Sequence, residues 1–211
     1  MVGAAPHRRR RSAGCLATTH PGGYHASGQD SPSPGSTGRV RQARDGYAKG
    51  VQTFLPYPDF AATAAALDPR RLGKQRVEAL QILRGLTVPG YGWRHHPAVK
   101  MWAGYEEALV RYGLEICRMW SARGHADTCA TSLTTELQGR CGVSPVRGQP
   151  ELAATRDLPP WLGDPRLHLS HRTALLRKDP GHYGPRFAPV PEDLPYVWPS
   201  SDRPPTCLAM R

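Results

Sequence analysis

The chain has 211 residues, enough for one domain with a tail or for two small domains. Its 39% hydrophobic content, beside 22 glycines and 22 prolines, predicts a loop-rich fold or a portion that does not fold. A formal charge of +11 argues against an acidic surface and favours an acidic partner, nucleic acid first and anionic membrane second.

No apolar run approaches the roughly 20 residues that cross a bilayer, so a soluble cytoplasmic protein with no membrane partner is expected. No obligate protein partner and no cofactor are predicted. The five cysteines, Cys15, Cys117, Cys129, Cys141 and Cys207, include no C-x-x-C pair. Their odd number argues against a disulfide framework, and they read as free thiols in a reducing compartment. A zinc site from Cys129, Cys141 and histidines fits no standard ligand spacing, so no metal is predicted.

Residues 1–50 carry "HRRRRSAG" and "HPGGYHASGQDSPSPGSTG" with no helical or strand period. Such a segment cannot bury enough apolar area to offset its ordering entropy, and disorder is predicted. The Arg8–Arg11 run reads either as a phosphate-gripping tail or as upstream sequence before a start at Val51. Targeting is disfavoured because no apolar stretch follows.

From Gln52 the pattern changes. In "PDFAATAAALD" Asp59 can cap a short helix, and Asp68–Pro69 is the cap-and-proline signature of a second. That second helix should run to about Leu86, with Leu72, Ala79, Leu80, Leu83 and Leu86 on one stripe. "TVPGYGWRHHP" reads as a loop. Pro97 should open a long third helix through Val99, Trp102, Leu109, Ile116 and Trp120, ending near Gly124. Residues 125–163 suggest only one short helix around "SLTTELQG". Asp164–Pro165 starts a fourth helix, "RLHLSHRTALLRK", stopped by Pro180 and Gly181. Beyond Phe187 the chain is proline-rich, with Tyr196 and Trp198 as candidate anchors and 199–211 as a flexible tail. No strand pattern or repeat is evident. The expected fold is a single all-α domain over about 51–198.

Glu78 stands among Arg70, Arg71, Lys74 and Arg76, about 120° around the helix from the apolar stripe. One reading is a solvated face with an i,i+4 Lys74–Glu78 pair contributing roughly 0.3–0.5 kcal/mol. The other is a carboxylate inside a cationic site for phosphates. In "YGWRHHP", Trp93 is either a core plug or a base-stacking ring, with Arg94 beside it for phosphate. His95 and His96 face different ways at a helix start, so one of them points to the site. His168 and His171 share a helix face, but no acidic third ligand for zinc stands near. "HYGPRF" mixes aromatics with cations again. Walker, G-x-S-x-G, H-E-x-x-H and dinucleotide signatures are missing.

Three segments, "LDPRRLGKQRVEAL", "GYGWRHHPAVKMW" and "HLSHRTALLRKDPGHYGPRF", together resemble the pyrimidine-dimer DNA glycosylase family, with the likeness closest to an actinobacterial-type subgroup. The resemblance spans roughly Gln52 to Phe187. It implies a DNA-repair glycosylase acting on duplex DNA, with abasic-site lyase chemistry. In such enzymes a free N-terminal amine attacks the sugar and a glutamate assists, which needs an unprotonated amine and a carboxylate that can move protons. By position Glu78 matches that glutamate, and the amine's position falls at Val51 to Thr53, making Gln52 and Thr53 the candidates. The departure is that these residues lie mid-chain, where an internal threonine has no α-amine. Arg71, Lys74, Arg76 and Arg94 are expected to hold phosphates, with Trp93, His95, His96, His171, Lys178 and Tyr183 completing the DNA-binding set. Two other readings stay open: a nucleic-acid-binding protein without catalysis, and a small-molecule enzyme using Glu78 and a histidine.

Overall fold

Aspartate caps explain where the chain first turns helical. The Asp59 side chain accepts from the Ala62 N–H and starts α1 (Phe60–Ala66). Asp68 accepts from the Arg71 N–H and starts α2 (Pro69–Thr87), with Pro69 at the position where a missing N–H costs nothing. In the computed structural model, residues 51–187, 189–191 and 193–207 are described. The leader at 1–50, on which disorder and an alternative start were expected, lies outside them.

Every regular element among the described residues is helical, as the sequence predicts. After α2 come α3 (Pro97–Met101), α4 (Glu106–Ala122), α5 (Cys129–Cys141), α6 (Gln149–Ala154), α7 (Pro165–Lys178) and α8 (Pro180–Tyr183). The expected stripe on α2 is buried throughout: Leu72, Ala79, Leu83 and Leu86 are at most 1% exposed, and Leu80 is 8% exposed. This face packs chiefly on α4 and α5, where Leu109, Tyr112, Ile116, Leu133 and Leu137 are buried.

The single long helix expected from Pro97 is two helices. Gly104 adopts φ +75°, a left-handed conformation that ends α3's turn and that side chains rarely take. Its open side is occupied as well: a Cβ there would sit 2.4 Å from Arg203 Cβ and 2.7 Å from Pro204 O. The break is therefore imposed by a segment a hundred residues downstream, which helical periodicity cannot register. Pro180 does not merely stop α7, because Asp179 accepts from the His182 N–H and begins the one-turn α8. The helix expected around "SLTTELQG" is α5, while α6 has no apolar period long enough to be read.

Two expectations about the C-terminal part are corrected. Cys141 and Cys207 form a disulfide, their Cα atoms 4.9 Å apart across 66 residues of chain. Pairing depends on the fold bringing distant positions together, which spacing alone does not reveal. Cys117 and Cys129 are free, and Cys15 lies outside the described residues. Residues 199–207, expected as a flexible tail, are tied down. Ser201 Oγ donates to Ala103 O, Tyr105 Oη donates to Asp202, and the Thr206 N–H donates to Glu106. Among the described residues no helix is long and apolar enough to cross a membrane.

Candidate functional site

Glu78 is 4% exposed, which overturns the solvated-face reading. Lys74, one turn earlier on α2, reaches it from outside with Nζ 3.1 Å from Oε1. Gln75 donates from Nε2 to the other oxygen, Oε2. Burial disfavours the charged carboxylate, while Lys74 and Lys178 favour it. Burial dominates, and the Glu78 pKa is pushed up to about 7. A carboxyl group with that value holds or releases a proton at neutral pH, as general acid–base chemistry requires.

Gln75 also faces the other way. Its Oε1 accepts from the Phe54 N–H at 2.9 Å and from Tyr112 Oη at 2.7 Å. With two donors on the oxygen, the amide orientation is set and Nε2 must point at Glu78. One buried side chain thus links the carboxylate to the backbone of residue 54.

The stretch 51–55 is clamped along its length. Tyr196 Oη donates to Thr53 O at 2.8 Å, and Trp102 Nε1 donates to Thr53 Oγ1 at 3.1 Å. His171 Nδ1 accepts from the Leu55 N–H at 2.8 Å, and His168 Nδ1 pairs with Leu55 O at 2.8 Å. His168 Nε2 accepts from the Gly163 N–H, so its proton sits on Nδ1. His171 must carry its proton on Nε2 instead, a buried atom with no hydrogen-bond partner of good geometry among the described residues. Burial holds the His171 pKa down at about 3, so the ring stays neutral. Val51, Thr53, Phe54 and Leu55 are buried and Gln52 is half-buried.

The expected DNA-binding residues fall into three groups. Arg71, Arg76, His171 and Tyr183 are spent inside the protein. Arg71 binds Asp68 at 3.0 Å and the Lys178 carbonyl at 3.1 Å. Arg76 pairs with Asp127 at 2.5 Å and stacks over Trp120 at 4.2 Å. Tyr183 is fully buried and donates to Asp68. His171 and Tyr183 are fully buried, while the Arg71 and Arg76 side chains keep 14% and 15% of their surface. The second group surrounds Glu78: Lys74 has a side chain 65% exposed, and Lys178 lies half-buried with Nζ 5.9 Å from the Phe54 ring. The third lies on the loop before α3. Arg94 and His95 are exposed and joined at 2.9 Å, while His96 caps α3 by accepting from the Ala98 N–H. Trp93 is half-buried against the core and edge-on to His96, between the two readings offered for it.

Gln75 and Tyr112 escaped the sequence reading, yet a signal existed. Gln75 falls three after Leu72 and four before Ala79, a polar residue at a core position of the stripe. A buried polar group there must have partners.

The fold is helical, and its buried Glu78 carboxyl group lies beside two lysines, Lys74 and Lys178. Residues 51–133 match a family model described as pyrimidine dimer DNA glycosylase. Through this segment the chain is similar to that family, and the rest of the chain lies outside the match. The match takes in α1 to α4 with Glu78 and the 91–97 loop, and stops before α7. No curated protein matches the chain, and no solved structure does.

Proposed function

We propose that the protein is a DNA-repair glycosylase that removes damaged pyrimidines from duplex DNA, with Glu78 as its catalytic carboxylate. The observation carrying this reading is the setting of Glu78: buried, its pKa at about 7, ion-paired to an exposed lysine, and linked through Gln75 to residue 54. Lys74 and Lys178 would meet the phosphates flanking the lesion, and Arg94 those further off. Glu78 as carboxylate stabilises the cationic sugar as the base leaves. It also takes the proton from the attacking nucleophile.

The nucleophile decides between two outcomes. An α-amine freed at residues 51–53 forms a bond to C1′ as the glycosidic bond breaks, and the resulting Schiff base permits strand cleavage. With a peptide bond preceding those residues, water attacks and only the base is released. The family description supports DNA as the substrate, and action on chromosomal DNA implies the cytoplasm, where the Cys141–Cys207 bond meets a reducing thiol pool.

The test is borohydride trapping on abasic duplex DNA, using the full chain and a chain begun at residue 51. A covalent adduct from the shorter chain alone assigns the lyase to a freed amine. Duplex binding without base release or adduct from either chain favours the non-catalytic DNA-binding reading, which the mid-chain position of Val51 supports.

A further inference from the structure

A depression of about 600 Å³ opens beyond the C-terminal end of α2, between α3 and the tied-down residues 200–205. Its floor includes Leu86 and Val99, and its walls carry Arg94, His95, Lys100 and Arg203, with no acidic side chain in the lining. Arg203 is already engaged: it stacks on Tyr105 at 4.6 Å and approaches Asp157 at 3.6 Å. Arg94 and Lys100 are exposed, and neither has a carboxylate partner among the described residues. Two unneutralised cations at one groove call for an anionic occupant.

The position of the groove narrows the choice. Glu78 and Gly85 are seven residues apart on α2, two turns, and so share a face to within about 20° and lie about 10 Å apart. Gly85 lies hard against α3, since a Cβ there would sit 2.8 Å from Val99 Cγ2. The groove therefore begins on the Glu78 side of α2, about three nucleotide steps away at 3.4 Å per step along a strand.

We propose that this groove takes the sugar–phosphate backbone of the DNA strand flanking the nucleotide held at Glu78. The inference rests on DNA being the ligand of the Glu78 site, and a binding measurement independent of turnover tests it. In the full chain, Arg94→Glu with Lys100→Glu should weaken binding of undamaged duplex at least tenfold. The salt dependence should lose about 1.8 units of slope, the value for two phosphate contacts. Both side chains are exposed, so the thermal midpoint should hold, which separates lost contact from lost folding.

Location is read with duplexes containing an abasic site. A duplex ending within two nucleotides of the site on one side should bind the parent more weakly than a long duplex does, and should bind the variant equally well at both lengths. Unchanged affinity and slope in the variant, or a variant still sensitive to duplex length, overturns the proposal. So does an acidic peptide or an anionic phosphatidylserine vesicle that competes as strongly as duplex for the parent but not for the variant. Glu78→Gln run alongside tests only chemistry: a variant that still releases base removes the catalytic assignment and leaves the groove standing.

Discussion

Lys74 and Glu78 form an ion pair that straddles the protein surface, the ammonium side chain 65% exposed and the carboxyl side chain 5% exposed, with 3.1 Å between Nζ and Oε1. The lysine shields a group that the interior disfavours in its charged form. A phosphate arriving at Lys74 competes for the same ammonium, and would push Glu78 toward its protonated state. The carboxylate role proposed for Glu78 therefore depends on Lys74 keeping this pair when DNA binds.

Glu78→Gln removes the charge and keeps the shape. Base release should fall roughly a hundredfold or more, the scale of a lost acid–base group, while duplex affinity holds or rises. Stability reports the burial. The folded pKa of about 7 lies above the ordinary 4.5, so the folded state holds the proton more tightly, and the parent loses stability as pH rises from 4.5 to 7. Relative to the parent, Glu78→Gln should therefore gain in melting temperature across that window. His171 acts oppositely: with its pKa down at about 3, it makes stability rise from pH 3 toward 6.5. The difference between variant and parent isolates Glu78.

Gln75→Leu fills the same space without the amide. The Phe54 N–H loses its acceptor and Glu78 loses a donor, each buried loss costing about 1–3 kcal/mol. Denaturant unfolding should show a drop of that order. In the pH–rate profile of base release, the acidic limb should move upward, because the charged carboxylate has lost a hydrogen bond that favoured it. A fall in stability with an unmoved limb would make Gln75 a core residue with no hold on the carboxyl group.

The cations of α2 should separate by function. Arg76→Ala breaks the Asp127 pair and the Trp120 stack, while Asp127 keeps its bond from the Ala130 N–H, so it should destabilise by about 1–3 kcal/mol without changing the salt slope of DNA binding. Lys74→Ala should flatten that slope by about 0.9, and the Glu78 carboxyl group it leaves without its cation should hold its proton to higher pH. Calorimetry and a salt titration on the two variants check the division, and an inverted result would move the phosphate contacts to the Arg76 face.

Replacing Cys141 and Cys207 together by serine opens a closure of 66 residues, worth about 4 kcal/mol at most on the chain-entropy account. Hydrogen exchange at 199–207 should accelerate, while α2 and its Glu78 environment keep their protection. Fast exchange in α2 as well would mean that the clasp supports the whole core.

Local signals were enough to read the helix starts. Asp59, Asp68 and Asp164 cap their helices by bonding to N–H groups two or three residues on, an interaction contained within one short segment. The α2 stripe was legible for the same reason, since a helix's apolar face repeats at a fixed interval. The position of Glu78 among cations could be read too, but not its burial. That depends on what covers α2: the 51–55 stretch of chain, held by His168, His171, Tyr112 and Tyr196 from 58 to 143 residues away, closes over the polar side of the helix. The same long-range packing turned Arg71, Arg76 and Tyr183 inward, broke the Pro97 helix at Gly104 and joined Cys141 to Cys207. Charge and periodicity are properties of neighbours in sequence, whereas desolvation is set by neighbours in space, and it is desolvation that lifts the Glu78 pKa to about 7.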